Sequence, residues 1–333
     1  MKKYGVETER KSTQEHKRIE KELIPIISNM FNTEVKIVEF YRNKETHGDC
    51  DLLILNHGNL GNISKKLEEK FGIVHANGNV YSFVYDKYQI DIIPQPTKNW
   101  ETAKVFFDWD PSGNLMGKIA HKFGLKYGLQ GLVYPFRTFS GRLSRDIVIS
   151  KDNRKIFKFF DLDYDKYLKG FDNLEEIFEF IIDSKYFNPN NFLMENLNSI
   201  DRKRNKKRST YKGFLDYINL KNFDKDSSFK FNKDKSSYHR MINEYFPESN
   251  FLEMLDELKK EDDRNKRISE KFNGNIVMEI TGLKGKELGN FIHKFKQYIE
   301  DKRKVEFKEF VDSVEEGEII NQCKYFFKNK DYE

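Results

Sequence analysis

The stretch HGDCDLLILN, residues 47–56, constrains the fold of this chain most strongly. Two aspartates, Asp49 and Asp51, begin a run that then becomes wholly apolar. Such a run predicts a buried strand, and residues two apart in a strand point to the same face of the sheet. Asp49 and Asp51 should therefore lie side by side where the strand begins, and their like charges repel unless a positive charge lies between them.

A third carboxylate, Asp91, lies alone within the apolar segment YQIDIIP, which also predicts a strand. Burying an unpaired carboxylate is costly, so a cation is expected beside it. If this strand lies next to the one that begins at Asp51, the three carboxylates converge into a hard oxygen ligand set that suits Mg²⁺. Two such ions can clamp the attacking and leaving oxygens of an in-line displacement. The alternative for Asp49 and Asp51 is a solvated turn.

The composition predicts a folded chain with more than one domain. The 333 residues suffice for two or three domains, and 30 Phe and 17 Tyr can fill their cores although 34% of the residues are charged. No apolar run approaches the roughly 20 residues of a membrane helix, and the first residues lack a secretory signal. Cys50 and Cys323 fit neither a disulfide framework nor a zinc knuckle. We therefore expect a monomer in the cytoplasm, or in the host cytoplasm if the chain is viral, with no membrane partner.

The order of the elements predicts an α+β chain. A small mixed-sheet domain is expected over residues 1–100, followed by mainly helical domains over 101–222 and 241–333. A polar linker is expected over 221–240. The predicted elements are a helix at 13–31, strands at 33–41 and 51–56, a helix at 62–72, a hairpin at 80–94, a helix and turn at 112–132, a strand at 145–150, and helices at 153–162, 171–184 and 209–220.

A dense basic run occupies positions 202–208, where six of seven residues are Lys or Arg. Such a run fits contacts to the phosphates of a nucleic acid, and the alternative is a solvated helix start. Its members are Arg202, Lys203, Arg204, Lys206, Lys207 and Arg208.

The segment FYRNKETHGDCDLLI resembles the catalytic signature of the DNA polymerase β-like nucleotidyltransferases, and most closely that of family X polymerases and terminal transferases. The segment IDIIP resembles the third motif of that family, in which Asp91 takes the place of the carboxylate. DPSGNLMGKIAHKFGLKYGLQGL resembles the Thr-Gly-Ser turn and the helix after it. The resemblance covers roughly residues 35–135. The residues that match the first motif in type are Arg42, Lys44, Thr46, Gly48, Asp49 and Asp51.

This resemblance implies a palm-like nucleotidyltransferase domain that works by a two-metal mechanism. Asp49, Asp51 and Asp91 would be the catalytic and metal-binding residues for two Mg²⁺ ions, with Mn²⁺ as an alternative. The partners would be a nucleoside or deoxynucleoside triphosphate and the 3′ end of an RNA or DNA, which the basic run would contact. The nucleotide-binding residues would be Arg42, Lys44, Gly48, Ser112, Gly113 and Asn114, with the last three forming the Thr-Gly-Ser turn.

The chain departs from the family pattern at one position and shows a second, weaker likeness elsewhere. The Gly-Ser pair that holds the triphosphate in the family falls on Val38 and Glu39, so Arg42 and Lys44 would carry more of that binding. Residues 272–300 resemble the Gly-rich C-terminal helical segment of bacterial CCA-adding enzymes and poly(A) polymerases, and the alternative is an ordinary helix.

Three hypotheses of function follow from the sequence. The first is a nucleotidyltransferase that extends a nucleic-acid 3′ end and releases pyrophosphate. The second is the same chemistry directed at a small molecule or a protein, against which the basic run counts. The third is a nucleic-acid-binding protein with a decayed catalytic site, against which the presence of all three carboxylates counts.

Overall fold

A computed structural model describes residues 5–221, 223 and 228–329 of the chain. The fold is α+β, as the sequence predicts, with a mixed sheet first along the chain and mostly helices after it. The strands in these residues are β1 (Lys11–Ser12), β2 (Val35–Ile37), β3 (Thr46–His47), β4 (Asp49–Asn56), β5 (His75–Asn77), β6 (Val80–Tyr85), β7 (Tyr88–Pro96), β8 (Lys126–Gly128), β9 (Gly131–Arg137) and β10 (Leu143–Ser150).

The helices follow the same order along the chain. In the described residues the α-helices are α1 (Thr13–Phe31), α2 (Ile63–Phe71), α3 (Trp100–Phe107), α4 (Ser112–Lys122), α5 (Asn153–Phe159), α6 (Tyr164–Lys169), α7 (Leu174–Ile182), α8 (Ser199–Asn205), α9 (Ser209–Lys221), α10 (His239–Tyr245), α11 (Phe251–Lys271), α12 (Gly274–Thr281), α13 (Gly285–Arg303), α14 (Phe307–Ser313) and α15 (Glu316–Lys328). None of these combines the length and the hydropathy that a membrane span needs.

The central sheet has the strand order β2-β4-β7-β6-β5. The second and third strands in this order, β4 and β7, run parallel, whereas the other neighbouring strands pair antiparallel. The predicted hairpin is confirmed: β6 and β7 meet at Asp86 and Lys87, which have φ of 51° and 56°. Positive φ at both central residues is the geometry of a type I′ turn, whose twist matches that of the paired strands.

Both faces of β4 are covered, which explains why its sequence is apolar at successive positions rather than at alternate ones. Leu52 and Ile54 point to the face on which α1 packs, and they belong to one core with Ile19, Leu23 and Ile27 of that helix. A second core covers the opposite face; it contains Leu53, Leu55, Ile93 and Trp100. Asp49 and Asp51 share this second face, because Asp49, Asp51 and Leu53 follow one another at intervals of two residues along the strand.

Contacts between residues group the chain into two units. The first unit is Met1–Pro135 with Asp146–Phe251, and the second is Phe136–Arg145 with Leu252–Glu333. The division expected at 1–100, 101–222 and 241–333 stays a prediction, and residues 1–4, 222 and 330–333 of it lie outside the described residues.

The helical part of the first unit is built on aromatic side chains. Phe157 and Tyr167 have ring centroids 4.8 Å apart, and Phe171 and Phe180 are 5.4 Å apart. Asn173 is the N-cap of α7, because its side chain accepts a hydrogen bond from the Glu176 amide. The reciprocal bond differs from a capping box, since the Glu176 carboxylate accepts from the amide of Asp172.

The second unit, taken by itself, is mainly helical. Its core is a cluster of buried phenylalanines and aliphatic residues from α11 to α15. Phe272 and Phe307 have ring centroids 5.0 Å apart, and Cys323 is buried in the same cluster.

Two expectations about the elements are wrong. The strand predicted at 33–41 ends at Ile37, because the next residues bond elsewhere: the Glu39 amide donates to Asp108 and the Arg42 amide donates to Phe171. The segment expected to be a linker is packed where it is described, since Phe231 lies 5.2 Å from Phe123 between ring centroids. Residues 222 and 224–227 of that segment lie outside the described residues.

Candidate active site

The register of β4 and β7 brings the predicted carboxylates to one face of the sheet. Asp51 lies directly opposite Asp91, and Asp49 lies opposite Gln89. Asp91 is 9% exposed, and the Gln89 amide donates to both of its oxygens at 3.2 and 3.1 Å. The parallel pairing therefore places two carboxylates from distant parts of the chain next to each other, with a third one beside them.

The electrostatics of this face favour a bound cation. Burial, together with the charges of Asp49 and Asp91, raises the pKa of Asp51 to about 8. Burial also raises the pKa of Asp91, although hydrogen bonds from Ser82 and Gln89 oppose that rise. Each of these two carboxylates thus loses hydration and is repelled by its neighbours when it is charged, and a divalent cation would offset both effects.

Lys44 supplies a positive charge to this face. Burial lowers the pKa of Lys44, whereas the charges of Asp49, Asp110 and Asp51 favour its protonated form. Its ammonium also lies 5.6 Å from the centroid of the Phe40 ring. The loop that carries Lys44 is held by the start of α1, where the Thr13 hydroxyl donates to the Lys44 carbonyl.

A cavity of about 360 Å³ opens beside Asp49 and Asp51, and we call it the aspartate cavity; Asp91 is not among the residues that line it. Both acidic and basic side chains line it, so it suits a ligand that carries negative charge and binds a metal. The charged residues that line it are Glu20, Glu39, Lys44, Asp49, Asp51, Asp110, Arg204 and Arg208.

Two residues of the predicted basic run line the aspartate cavity, and the other four do not. Arg204 and Arg208 line the aspartate cavity, and Arg208 approaches Asp110 to 3.6 Å. An ion pair holds α8 in this position, because the buried ammonium of Lys118 lies 2.7 Å from the carboxylate of Asp201. The other members of the run are exposed and outside the lining of the cavity; they are Arg202, Lys203, Lys206 and Lys207.

Arg42 lies away from the aspartate cavity, contrary to the position expected from the sequence. Its guanidinium binds the Asp172 carboxylate at 2.6 Å and donates to the Lys169 carbonyl. The backbone causes this, because the amides of Arg42 and Asn43 donate to the carbonyls of Phe171 and Asp172. Of the two cations predicted to hold the triphosphate, the structure brings Lys44 alone to the cavity.

The turn expected at Ser112, Gly113 and Asn114 is instead the first turn of α4. Ser112 is fully buried, and its hydroxyl donates to the Asp108 carbonyl at 3.1 Å. Gly113 is needed for packing, because a Cβ there would lie 2.5 Å from the Phe106 carbonyl oxygen. Asn114 lines the aspartate cavity, whereas Ser112 and Gly113 do not.

Gly48 immediately precedes Asp49 at the start of β4. It is exposed next to Asp49, and a Cβ there would lie 3.0 Å from the guanidinium of Arg10. Arg10 donates to the carbonyl of Thr46 at 2.9 Å, so it covers the loop that leads to the aspartates. Sequence reasoning did not find Arg10 or Asp110, because no local pattern marks either residue.

A second group of metal-ligating atoms lies on the opposite face of β4. Among the described residues, the side chains of His16, Glu20 and Cys50 have ligand atoms that all lie within 4.8 Å of one another. The oxygens of the three aspartates are not gathered this closely in the described structure. Sequence reasoning missed this group, because Cys50 lies 30 residues after Glu20 and no local pattern joins them.

Comparison with known proteins gives structural matches but no sequence match. No family model and no curated protein matches this chain. A solved structure of polymerase β from Leishmania infantum, in a ternary P/T complex, has 17% identity and a TM-score of 0.38; the match covers 48% of this chain and 76% of that one. A ternary gap complex of the same polymerase has 20% identity and a TM-score of 0.33, with 38% and 52% covered. We therefore infer function from the geometry of this chain alone.

Proposed function

We propose that this chain is a metal-dependent nucleotidyltransferase that adds nucleotides from a nucleoside or deoxynucleoside triphosphate to the 3′ end of a nucleic acid. One observation carries the proposal: Asp51 lies opposite Asp91, with Asp49 on the same face. Aspartates in this arrangement, beside a cavity with basic residues, suit a reaction between a metal-bound triphosphate and a hydroxyl group.

The donor set of this face fits divalent magnesium. Three carboxylates offer hard oxygen ligands, and the raised pKa values of Asp51 and Asp91 are those of a site that lacks compensating positive charge. Asp49 and Asp51 would hold two Mg²⁺ ions, and Asp91 would complete the site of one of them. When bound, the ions would activate the 3′-hydroxyl and neutralise charge on the transferred phosphate, and Mn²⁺ could replace them.

Different side chains of the cavity would bind different parts of the nucleotide. Lys44, Arg204 and Arg208 would neutralise the triphosphate, the arginines by planar donor pairs and the lysine as a point charge. The 3′-oxygen forms a bond to the α-phosphorus as the bond to pyrophosphate breaks, and pyrophosphate leaves. Asn114 lies at the edge of the cavity and can contact the nucleoside part.

The exposed basic residues fit the nucleic-acid acceptor. Arg202, Lys203, Lys206 and Lys207 lie close together in sequence at the end of α8, next to the arginines that line the cavity. Phosphates bound there would release counterions, so binding would weaken as salt is raised. This arrangement favours a nucleic acid over a small molecule as the acceptor.

The test is an incorporation assay with the full chain. End-labelled RNA and DNA oligonucleotides are incubated with each ribo- and deoxyribonucleoside triphosphate, with Mg²⁺ or Mn²⁺, and the products are resolved by length. Extended products that Asp91→Asn does not form support the proposal; Asp108→Asn, which changes an equally buried acid outside the group of Asp49, Asp51 and Asp91, is the matched control. Label transferred only to protein or to a small molecule would support the second hypothesis, and binding without transfer would support the third.

A further inference from the structure

His16, Glu20 and Cys50 form a buried cluster of metal-ligating groups that the proposed reaction does not use. Their exposed fractions are 3%, 5% and 0%. The ligand atoms, a ring nitrogen, a carboxylate oxygen and a sulfur, all lie within 4.8 Å of one another. A buried carboxylate and a buried imidazole need partners, and here the His16 ring lies 2.9 Å from the Glu20 carboxylate with the Cys50 sulfur nearby.

The secondary structure brings these three residues together. His16 and Glu20 lie four residues apart on α1, and residues at this spacing share one face of a helix. Cys50 lies between Asp49 and Asp51 on β4, so its side chain points to the opposite face of the sheet, on which α1 packs. The cluster therefore joins the first helix to the strand that carries the aspartates.

The hydrogen bonds indicate that a positive charge is needed between His16 and Glu20. The Tyr88 hydroxyl donates to the carbonyl of Asp49 at 2.5 Å, so its oxygen can only accept from His16 Nδ1, 2.8 Å away. His16 Nδ1 then carries a proton, and Nε2 lies 2.9 Å from the Glu20 carboxylate. A positive charge is needed between Nε2 and Glu20, and either a second ring proton or a metal ion bound by both groups supplies it.

The kinds of ligand atom in this cluster decide which metal ion it suits. Imidazole nitrogen, carboxylate oxygen and thiolate sulfur are the ligands of Zn²⁺, whereas Mg²⁺ takes oxygen ligands. The bond from His16 to Tyr88 is the outer hydrogen bond that orients a metal-binding histidine. His16 and Glu20 also line the aspartate cavity, which gives an ion a path of entry and a fourth position for water.

We propose that His16, Glu20 and Cys50 bind one Zn²⁺ ion that links α1 to β4. The site differs from the magnesium site in its ligands: the Cys50 sulfur lies on the other face of β4, whereas His16 and Glu20 line the same cavity as Asp49 and Asp51. An ion held there would fix the start of β4 from the side opposite to Asp49 and Asp51.

Cobalt provides the first test, with the full chain stripped of metal by a chelator and without any nucleotide. Added Co²⁺ should give the ultraviolet absorption of a cobalt–thiolate bond at one ion per chain, and Zn²⁺ should remove it. Cys50→Ser should lose this absorption, whereas Cys323→Ser, which removes the other buried cysteine, should keep it. Asp91→Asn should keep it as well, because Asp91 is not a ligand of this site.

Affinity and ligand type complete the test. Competition with a chromophoric chelator should show that Cys50→Ser weakens Zn²⁺ binding by more than the roughly 10- to 100-fold expected for Tyr88→Phe, which removes an outer partner. X-ray absorption of the Zn²⁺-loaded native chain should show one sulfur at about 2.3 Å. Absence of that sulfur, or a Cys50→Ser variant that binds Zn²⁺ as tightly as the native chain, would overturn the proposal. Nucleotide transfer is not measured, so either result leaves the proposed function untouched.

Discussion

Asp51 and Asp91 face each other across the parallel strands β4 and β7. Parallel neighbours need a long connection, and here α2 and the strands β5 and β6 provide it. The pair therefore depends on the complete sheet, and it holds two carboxylates with raised pKa values on one face.

Replacing Asp91 by Asn is expected to abolish transfer while the fold is kept. The amide retains the size and the acceptor oxygen of the side chain but not the charge, so incorporation should fall by at least about 100-fold. Without metal, the melting temperature should stay the same or rise, because burial already disfavours the charged form of Asp91. Incorporation by gel assay and thermal unfolding by circular dichroism measure the two effects. Full activity in the variant would show that Asp91 is not a metal ligand.

The sequence predicts those features of the fold that depend on local patterns. The helix expected at 13–31 matches α1 at both ends, because Ser12 and Glu15 form a capping box and the apolar residues recur at helical spacing. The hairpin of β6 and β7 is local in the same sense. The end of β2 does not follow from a local pattern, because it depends on hydrogen bonds that the Glu39 and Arg42 amides donate to residues far along the chain.

The candidate site is predictable in part for the same reason. Alternation in β4 and β7 identifies which faces Asp51 and Asp91 occupy, but only the register shows that they are neighbours. The position of Arg204 in the cavity depends on the ion pair between Lys118 and Asp201, which no sequence pattern marks. Composition and spacing therefore locate the carboxylates but not their basic partners.

Lys44 and Arg42 should differ in their effect on nucleotide affinity. Lys44 lines the aspartate cavity, whereas Arg42 is bound to Asp172. Lys44→Gln should raise the Michaelis constant for the nucleotide by roughly ten- to a hundredfold, as expected when a charged hydrogen bond is removed. Arg42→Lys should leave it nearly unchanged. Steady-state kinetics at saturating acceptor compare the two variants, and equal effects would place the triphosphate elsewhere.

Arg204 and Arg208 should act on the nucleotide rather than on the acceptor. Both line the cavity with the aspartates, so replacing either by Gln should raise the Michaelis constant for the nucleotide. Arg202→Gln is the matched control, because Arg202 lies in the same run but is exposed outside the cavity. The measurement is the nucleotide Michaelis constant of each variant with the acceptor saturating. A larger effect in the control would remove the two arginines from the proposed site.

The exposed members of the run should determine how binding of nucleic acid depends on salt. A variant with Gln at positions 202, 203, 206 and 207 should bind a single-stranded oligonucleotide more weakly. Its log–log slope against salt should fall by about 0.7 for each phosphate that the variant no longer neutralises. Fluorescence anisotropy at several salt concentrations gives the slope, and a slope equal to that of the native chain would mean that these residues form only a solvated surface.

Asp108 should make the stability of the chain depend on pH. Burial raises the pKa of Asp108 to about 6, although Lys36 and the Glu39 amide oppose the rise. An acid whose pKa is raised by folding contributes stability below the pKa of the unfolded chain, and this contribution is lost as the pH rises through the folded value. For Asp108, with an ordinary pKa of 3.8, the loss corresponds to roughly 3 kcal/mol between about pH 4 and 6.

Asp108→Asn should remove that loss. The amide does not titrate, and its oxygen can still accept the hydrogen bond that the Glu39 amide donates to Asp108 at 2.8 Å. The variant should therefore become more stable relative to the native chain as the pH rises from about 4 to 7. Urea unfolding of both proteins across this range measures the difference in the free energy of unfolding. A difference that stays constant with pH would mean that Asp108 ionises in the folded chain as easily as in the unfolded one, and that its bonds to Lys36 and Glu39 compensate fully for its burial.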